Sequence, residues 1–406
     1  MHEANVTSKL GMDKRGFPIF LMLLNAFLWY YLTLDLIARV SRDLGFSYLE
    51  LIALHSLGVI VGGVVGLIFL RNRYKLLLSW TLLGTAISLV LLVPYSASSF
   101  FHWLCLGWGF SLGLGMPACL GFFAENVPIE KRGRFSGLIF MFSFLLAMLV
   151  NVSAEFFGLF FIYVFFGLWR LAGAVPLLIL HPENKSFTSR KRLAEYKLNI
   201  GYDKRLWLYI LPWFVFNIIN AFEELLLRDF VKATFPDHYV VFQLFSLLFH
   251  STSAFVGGFL SDLVGRKPMI IAGFSVVGIA YALIGILPNA APSWFFFFIS
   301  EGFAWGLFYA IFVTVVWGDL APKGSEELYY FIGSLPLFVA AGFQLLFAGY
   351  VSLLSEVSAF SLAAFFLFLA VLPILFAPET LPEKQIRERE LKSYLEKARK
   401  ISEKYV

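Results

Sequence analysis

Apolar runs of about 20 residues, separated by short polar breaks, recur along the whole chain, and they restrict its fold more than any other feature. Each run is long enough to cross a ~30 Å hydrocarbon core as a helix. Twelve are present, at roughly 17–38, 47–70, 75–94, 98–124, 134–156, 158–180, 206–228, 239–261, 268–288, 292–317, 328–352 and 356–377. A β-barrel is excluded, because its strands would be about 10 residues long with alternating polarity. With 59% hydrophobic and 15% charged residues among 406, a soluble domain could not hide the apolar surface. The 48 Phe residues suit a lipid-facing exterior. The expectation is an all-α membrane protein.

The chain repeats itself at an offset near 195 residues. Leu24-Asn25-Ala26-Phe27 matches Ile219-Asn220-Ala221-Phe222, His55-Ser56 matches His250-Ser251, and Val61-Gly62-Gly63 matches Val256-Gly257-Gly258. Glu125-Asn-Val-Pro128 matches Asp319-Leu-Ala-Pro322, and Pro182-Glu183 matches Pro378-Glu379. Anchors in one order imply a six-helix unit duplicated in tandem, hence two pseudo-symmetric six-helix bundles with a site between them at mid-depth. The expected division is 1–181, a first bundle; 182–205, a cytoplasmic linker; 206–377, a second bundle; and 378–406, a charged tail that reads as a solvated or membrane-surface helix.

Cations set the expected orientation. With the N-terminus in the cytoplasm, every Lys and Arg falls inside except Arg39, Arg42, Arg228 and Lys232 outside and Arg170 within a span. The positive-inside rule favours that arrangement, with both termini cytoplasmic. The net charge of +5 therefore reports topology in a cytoplasmic (plasma) membrane, not affinity for nucleic acid. The first 16 residues are polar and the first apolar run is too long for a signal h-region, so no cleavable signal peptide is expected. Cys105 and Cys119 lie on one helix, roughly 21 Å apart at 1.5 Å per residue, and cannot bridge.

Between two of the runs lies Gly258-Phe-Leu-Ser-Asp262-Leu-Val-Gly265-Arg266-Lys267. It resembles the loop signature G-x-L-x-D-x-x-G-R-K of the major facilitator superfamily, membrane transporters of twelve helices that carry small solutes. Leu263 stands where that family usually has a basic residue. Glu125-x-x-Pro128-x-x-Lys131-Arg132-Gly133-Arg134 resembles the second loop signature, after helix four, and the resemblance makes Glu125, Arg132, Gly133 and Arg134 gating or latch candidates together with Gly258, Asp262, Gly265, Arg266 and Lys267. Pro182-Glu183 and Pro378-Glu379-Thr380 resemble the Pro-Glu-Thr ends of helices six and twelve in sugar and metabolite carriers. In the first-half loop Gly63 and Arg71 remain, but Leu67 replaces the Asp and Leu70 the second Gly. A charge latch is therefore expected only in the second half, with Asp262 beside Arg266 and the N-terminus of a following helix. The Gly-Pro-rich antiporter stretch of helix five is missing, since residues 134–157 contain only Gly137.

Ionisable groups inside a span are costly and each invites a functional reading. Arg170 stands near the midplane, where its planar fork suits an anionic solute group or an internal partner such as Glu155. Asn217, Asn220 and Glu224 share one helix face, continued by Arg228, with Glu223 beside them. Asn25 is the repeat partner of Asn220. Glu301 and Trp305, with Tyr309 one turn on, place a carboxylate beside aromatics, suited to a ring-bearing or cationic solute and to carrying a proton. Trp108 is a candidate for the opposite wall. His55 and His250 lie on small-residue stripes and are expected where the bundles meet, as packing or gating groups.

Together these readings imply a secondary active transporter of a small organic solute, of the sugar or organic acid class, working by alternating access and coupled to protons through Glu301, Glu223 or Glu224. An efflux carrier or uniporter of hydrophobic compounds is the alternative, and a non-transporting receptor the remote one. The expected partners are the solute, protons and the lipid bilayer, with the protein monomeric. No metal, cofactor or enzymatic activity is expected: H-x-x-x-x-D, H-E-x-x-H and a Walker loop are absent.

Overall fold

The computed structural model describes residues 16–69, 72–92, 98–180, 201, 203–351 and 353–382. The expected linker lies almost wholly outside these residues, as do Pro182-Glu183, Arg71 and most of the tail. Among the described residues all regular structure is helical, and twelve helices are long and apolar enough to span a membrane. They are α1 Gly16–Leu44, α2 Tyr48–Ile68, α3 Arg73–Leu92, α4 Phe100–Asn126, α5 Ile129–Ala154, α6 Phe160–Leu180, α7 Lys204–Thr234, α8 Tyr239–Val264, α9 Arg266–Ile286, α10 Ala291–Leu320, α11 Glu326–Val351 and α12 Glu356–Phe376. The chain is a multi-pass membrane protein. The first span runs further than its apolar core suggested. Its polar end stays helical because Arg39 pairs with Asp35 one turn back, at 2.8 Å.

Within the first six helices α2 packs closely on α4, and within the last six α8 packs on α10. Small residues permit the approach. A Cβ at Gly58, Gly62 or Gly66 would run into the α4 backbone at Leu106, Phe110 or Leu114, so the stripe anticipated as an inter-bundle face is an internal seam of the first bundle. The two halves meet chiefly along α5 with α8 and α2 with α11. At the first contact Gly133 and Gly137 of α5 lie against the backbone of Gly258 and Ala254. Large apolar side chains on the outer faces, such as Phe156, Phe160, Leu346 and Phe376, stay exposed, as a bilayer requires.

One span is irregular at a telling place. α10 opens into a π-turn over Tyr309–Val313 before resuming at Val316. Such turns free backbone carbonyls. Here Ser136 of α5 and Thr314 both donate to the Ala310 carbonyl at 2.9 Å, and the Tyr330 hydroxyl of α11 donates to the Thr314 carbonyl at 2.5 Å. Groups from both halves thus hold the break open, beside the centre of the molecule.

Candidate functional site

A cavity lies at that centre. α1, α2 and α4 supply Phe27, Tyr30, Val59, Gly63, Met116 and Pro117; α7, α10 and α11 supply Trp213, Tyr309, Trp317, Tyr330, Phe331 and Phe338. Both halves therefore form its wall. Among the described residues no Asp, Glu, Lys or Arg lines it, and its polar side chains are Tyr30, Tyr309, Tyr330, Trp213, Trp317 and Ser334. Its volume is about 50 Å³. That is room for a few waters, well below the several hundred Å³ of a pocket holding a small organic ligand.

Two buried charge clusters tie the halves together at the end carrying the α2–α3, α4–α5, α8–α9 and α10–α11 connections. In the first, the Asp262 carboxylate of α8 is fully buried. It accepts the Gly133 and Arg134 N–H groups at 2.9 Å each, and the Arg134 side chain at 2.9 Å. Arg266 pairs with it at 2.8 Å. Asp262 therefore caps the start of α5, in the other half, not the following helix as expected. The following helix, α9, is capped by Glu379, which accepts the Arg266 and Lys267 N–H groups at 2.8 and 3.0 Å. Gly265 makes this possible, since its φ of 117° lies in the region L side chains avoid. Lys267 donates to the Leu375 and Ala377 carbonyls at the end of α12. Arg266 also reaches the Ile129 carbonyl at 2.7 Å and Asp319 at 3.3 Å. Arg132 donates to Asp319 at 2.8 Å.

The second cluster sits at the α2–α3 corner, where no charge latch was expected. Arg73 binds Glu125 of α4 through two bonds of 2.7 Å, and Glu327 of α11 at 2.8 Å. Arg73 and Glu327 are both buried. Leu67, at the repeat position of Asp262, is buried against Leu328 and Phe331 of α11. The loss of the acidic residue from the loop is real, but a carboxylate from the opposite half takes its place. Arg73, Glu327, Asp319 and Glu379 were not among the expected site residues. Glu327 had one available signal: it aligns with Gly133 in the repeat, at the start of an equivalent helix.

The other expected residues scatter. Arg170 is 1% exposed and lies inside the first half, away from the cavity wall. Its guanidinium is stacked between Trp29 and Trp80, with ring centres 4.7 and 4.1 Å away. It donates to the Asn25 side chain at 3.0 Å, while Nε and Nη2 have no hydrogen-bond partner among the described residues; the Glu155 side chain, the expected partner, lies outside them. Asn25 also donates to the Trp169 carbonyl, so it locks α1 to α6. Trp108 packs on Phe101 and Phe166, not on the cavity. His55 is held by the Cys105 carbonyl at 3.3 Å, inside the first half. His250 does reach the boundary, packing on Phe144 of α5. The pattern Gly109-Phe-Ser111-Leu-Gly113 fits G-x-S-x-G. It lies within continuous α4 with Ser111 fully buried, not at the strand-to-helix elbow that exposes a nucleophile.

On the second half, Asn217 bonds its own helix at the Trp213 carbonyl, 2.7 Å. Glu224 forms a half-exposed pair with Arg228 at 2.5 Å. Asn220 accepts the Trp305 indole N–H at 3.1 Å. Glu301 accepts the Ser246 hydroxyl at 2.8 Å, and His250 bonds the Ser246 carbonyl at 2.7 Å. Asn220, Glu301 and Trp305 share one tight pocket with Phe216 and Tyr281. Trp305 stacks on Tyr309, 5.2 Å between ring centres, and so joins this pocket to the wall of the central cavity.

No family model matches the sequence, and a search of curated proteins finds no match. Solved structures do match. The proton:xylose symporter XylE bound to 6-bromo-6-deoxy-D-glucose superposes with a TM-score of 0.66 at 15% identity, over 90% of this chain and 96% of that one. A bacterial homologue of the iron transporter ferroportin, in an outward-facing state, gives 0.64 at 14% identity, over 89% and 96%. The chain has the major facilitator fold. Within that fold the two charge clusters close one end of the boundary between the bundles, and the aromatic cavity lies along it.

Proposed function

We propose that the chain is a secondary transporter that moves a small uncharged organic solute, unaltered, by alternating access of the central cavity. The observation that carries this reading is the wall: both halves supply it, it is largely aromatic, and among the described residues no Asp, Glu, Lys, Arg or His lines it. An organic acid would need a cation there, and Arg170 is sequestered among tryptophans. A ring-bearing solute, sugar-like or more apolar, matches the flat faces of Trp213, Trp317 and Tyr309. In this reading the closed latch end faces the cytoplasm, as the cation distribution favours. The protein works as a monomer in the plasma membrane with both termini inside.

Protons are the proposed coupling ion. Glu301 is the proposed carrier, because Trp305 links its pocket to the cavity and Ser246 joins it to His250 at the inter-bundle boundary. Glu224, half-exposed beside Arg228, is set aside. A carrier of hydrophobic compounds without coupling is the second reading, favoured by the same apolar wall.

The test is flux in proteoliposomes with labelled sugars, organic acids and neutral aromatics, with and without a pH gradient. The proposal expects a neutral class to accumulate with the gradient and Glu301→Gln to abolish accumulation while leaving solute exchange. Ser334→Trp, which fills the cavity, should stop both. Transport of acids alone would overturn it. Gradient-independent flux of apolar compounds would favour the second reading.

A further inference from the structure

A second opening lies outside the central cavity, on the outer face of the last six helices. It is a cleft of about 330 Å³ between α7, the end of α11 and α12. Phe214, Phe222 and Phe366 line it together with aliphatic side chains. One acidic residue belongs to the wall, Glu223. That residue is 5% exposed, and its Oε2 has no hydrogen-bond partner among the described residues.

A carboxylate oxygen without a partner among apolar groups at membrane depth is costly. Packing alone gives no reason for it, since Gln or Leu would fill the same space. An acyl chain would satisfy the apolar wall and leave the carboxylate alone. A lipophilic amine satisfies both: its ammonium pairs with Glu223, and its chain or ring lies against the phenylalanines, which also favour a nearby cation. The volume is at the lower end for small-ligand pockets and takes one short chain or ring system, not two full acyl chains. We propose that this cleft is a binding site for a single-chain or aryl lipophilic amine entering from the bilayer, with Glu223 as its counter-ion. The site is separate from the central cavity and does not depend on which solute that cavity carries.

The test uses dansylcadaverine, a lipophilic primary amine, and its neutral analogue N-pentyl dansylamide. Binding is read by fluorescence anisotropy on the full chain in phosphatidylcholine nanodiscs, against empty discs. The expected result is at least tenfold tighter binding of the amine. Glu223→Gln should remove that preference, and Glu224→Gln should keep it. Ala363→Trp, which narrows the cleft, should weaken both probes. Equal affinity of the probes for the wild type, or a preference that survives Glu223→Gln, would overturn the proposal. So would full displacement of the amine by phosphatidylethanolamine in the disc, which would make the site one for a lipid headgroup. Melting temperatures of the variants show that each remains folded.

Discussion

At the α8–α9 corner, a carboxylate on the corner itself, Asp262, receives two backbone N–H groups and a guanidinium from the start of α5. At the α2–α3 corner the charges are exchanged. The corner supplies the cation, Arg73, and the start of α11 supplies the carboxylate, Glu327. Both corners bury a cross-tie between the halves. The comparison teaches that what matters is an ion pair across the boundary, not which side holds which charge. The two ties should differ in strength. Parting the halves strips Asp262 of three donors and exposes the N–H groups of α5. Arg73 would keep its two bonds to Glu125, which lies in its own half.

Asp262→Asn should therefore have the largest effect. Breaking a buried pair from one side costs about 3–5 kcal/mol, so transport should fall by tenfold or more while membrane insertion persists. Near-normal flux in purified, folded protein would remove the inequality between the corners. Glycine substitutions sharpen the same point. Gly133→Ala would drive a Cβ into the Gly258 carbonyl, a backbone group that cannot turn away, and into the Ser261 hydroxyl and the Asp262 carboxylate, and should approach the loss expected for Asp262→Asn. Gly121→Ala would meet the Glu327 side chain at 2.6 Å and can be relieved only by moving that side chain off Arg73, so its effect should match the smaller loss expected when that tie alone is weakened. Equal effects of the two alanines in one flux assay would count against the comparison.

Glu327→Gln should come next, with a loss of about 1 kcal/mol, several-fold in rate, because Arg73 remains paired. Combined with Asp262→Asn it should act additively, since the two corners share no partners. Smallest in its effect on transport is Arg170→Lys, a buried cation in neither latch. Lysine cannot reproduce the stack on Trp29 and Trp80, so the melting temperature should drop, by about 1–2 kcal/mol in stability. Solute affinity should stay near the wild-type value. Lost affinity with unchanged stability would return Arg170 to the solute site.

The sequence carried the spans, the repeat and the α8–α9 corner. Apolar run length is a direct physical requirement of the bilayer, and Gly258-to-Lys267 packs its charges into one short turn. The α2–α3 corner was only partly legible: Glu125 stood in a loop signature, but its partner Arg73 pairs with Glu327 from the opposite half, and Leu67 in the corner itself pointed the other way. The cavity wall was hidden for a different reason. Phe, Tyr and Trp cover the lipid face as well, so composition cannot separate Trp213 or Tyr330 from an aromatic that meets acyl chains. Arg170 was legible as unusual. Its tryptophan sandwich was not, because Trp29 and Trp80 lie on two other helices.

If both latches hold one end of the boundary shut, breaking the two together should part the halves there. Spin labels at Lys75 on α3 and Leu263 on α8 test it most directly. Both positions are exposed at the latch end, on opposite halves, and the native Cys105 and Cys119 are buried. Pulsed distance measurements in nanodiscs should show one short population in the wild type, and a dominant longer one when Asp262→Asn and Glu327→Gln are combined. An unchanged distance distribution in that double variant would contradict the account.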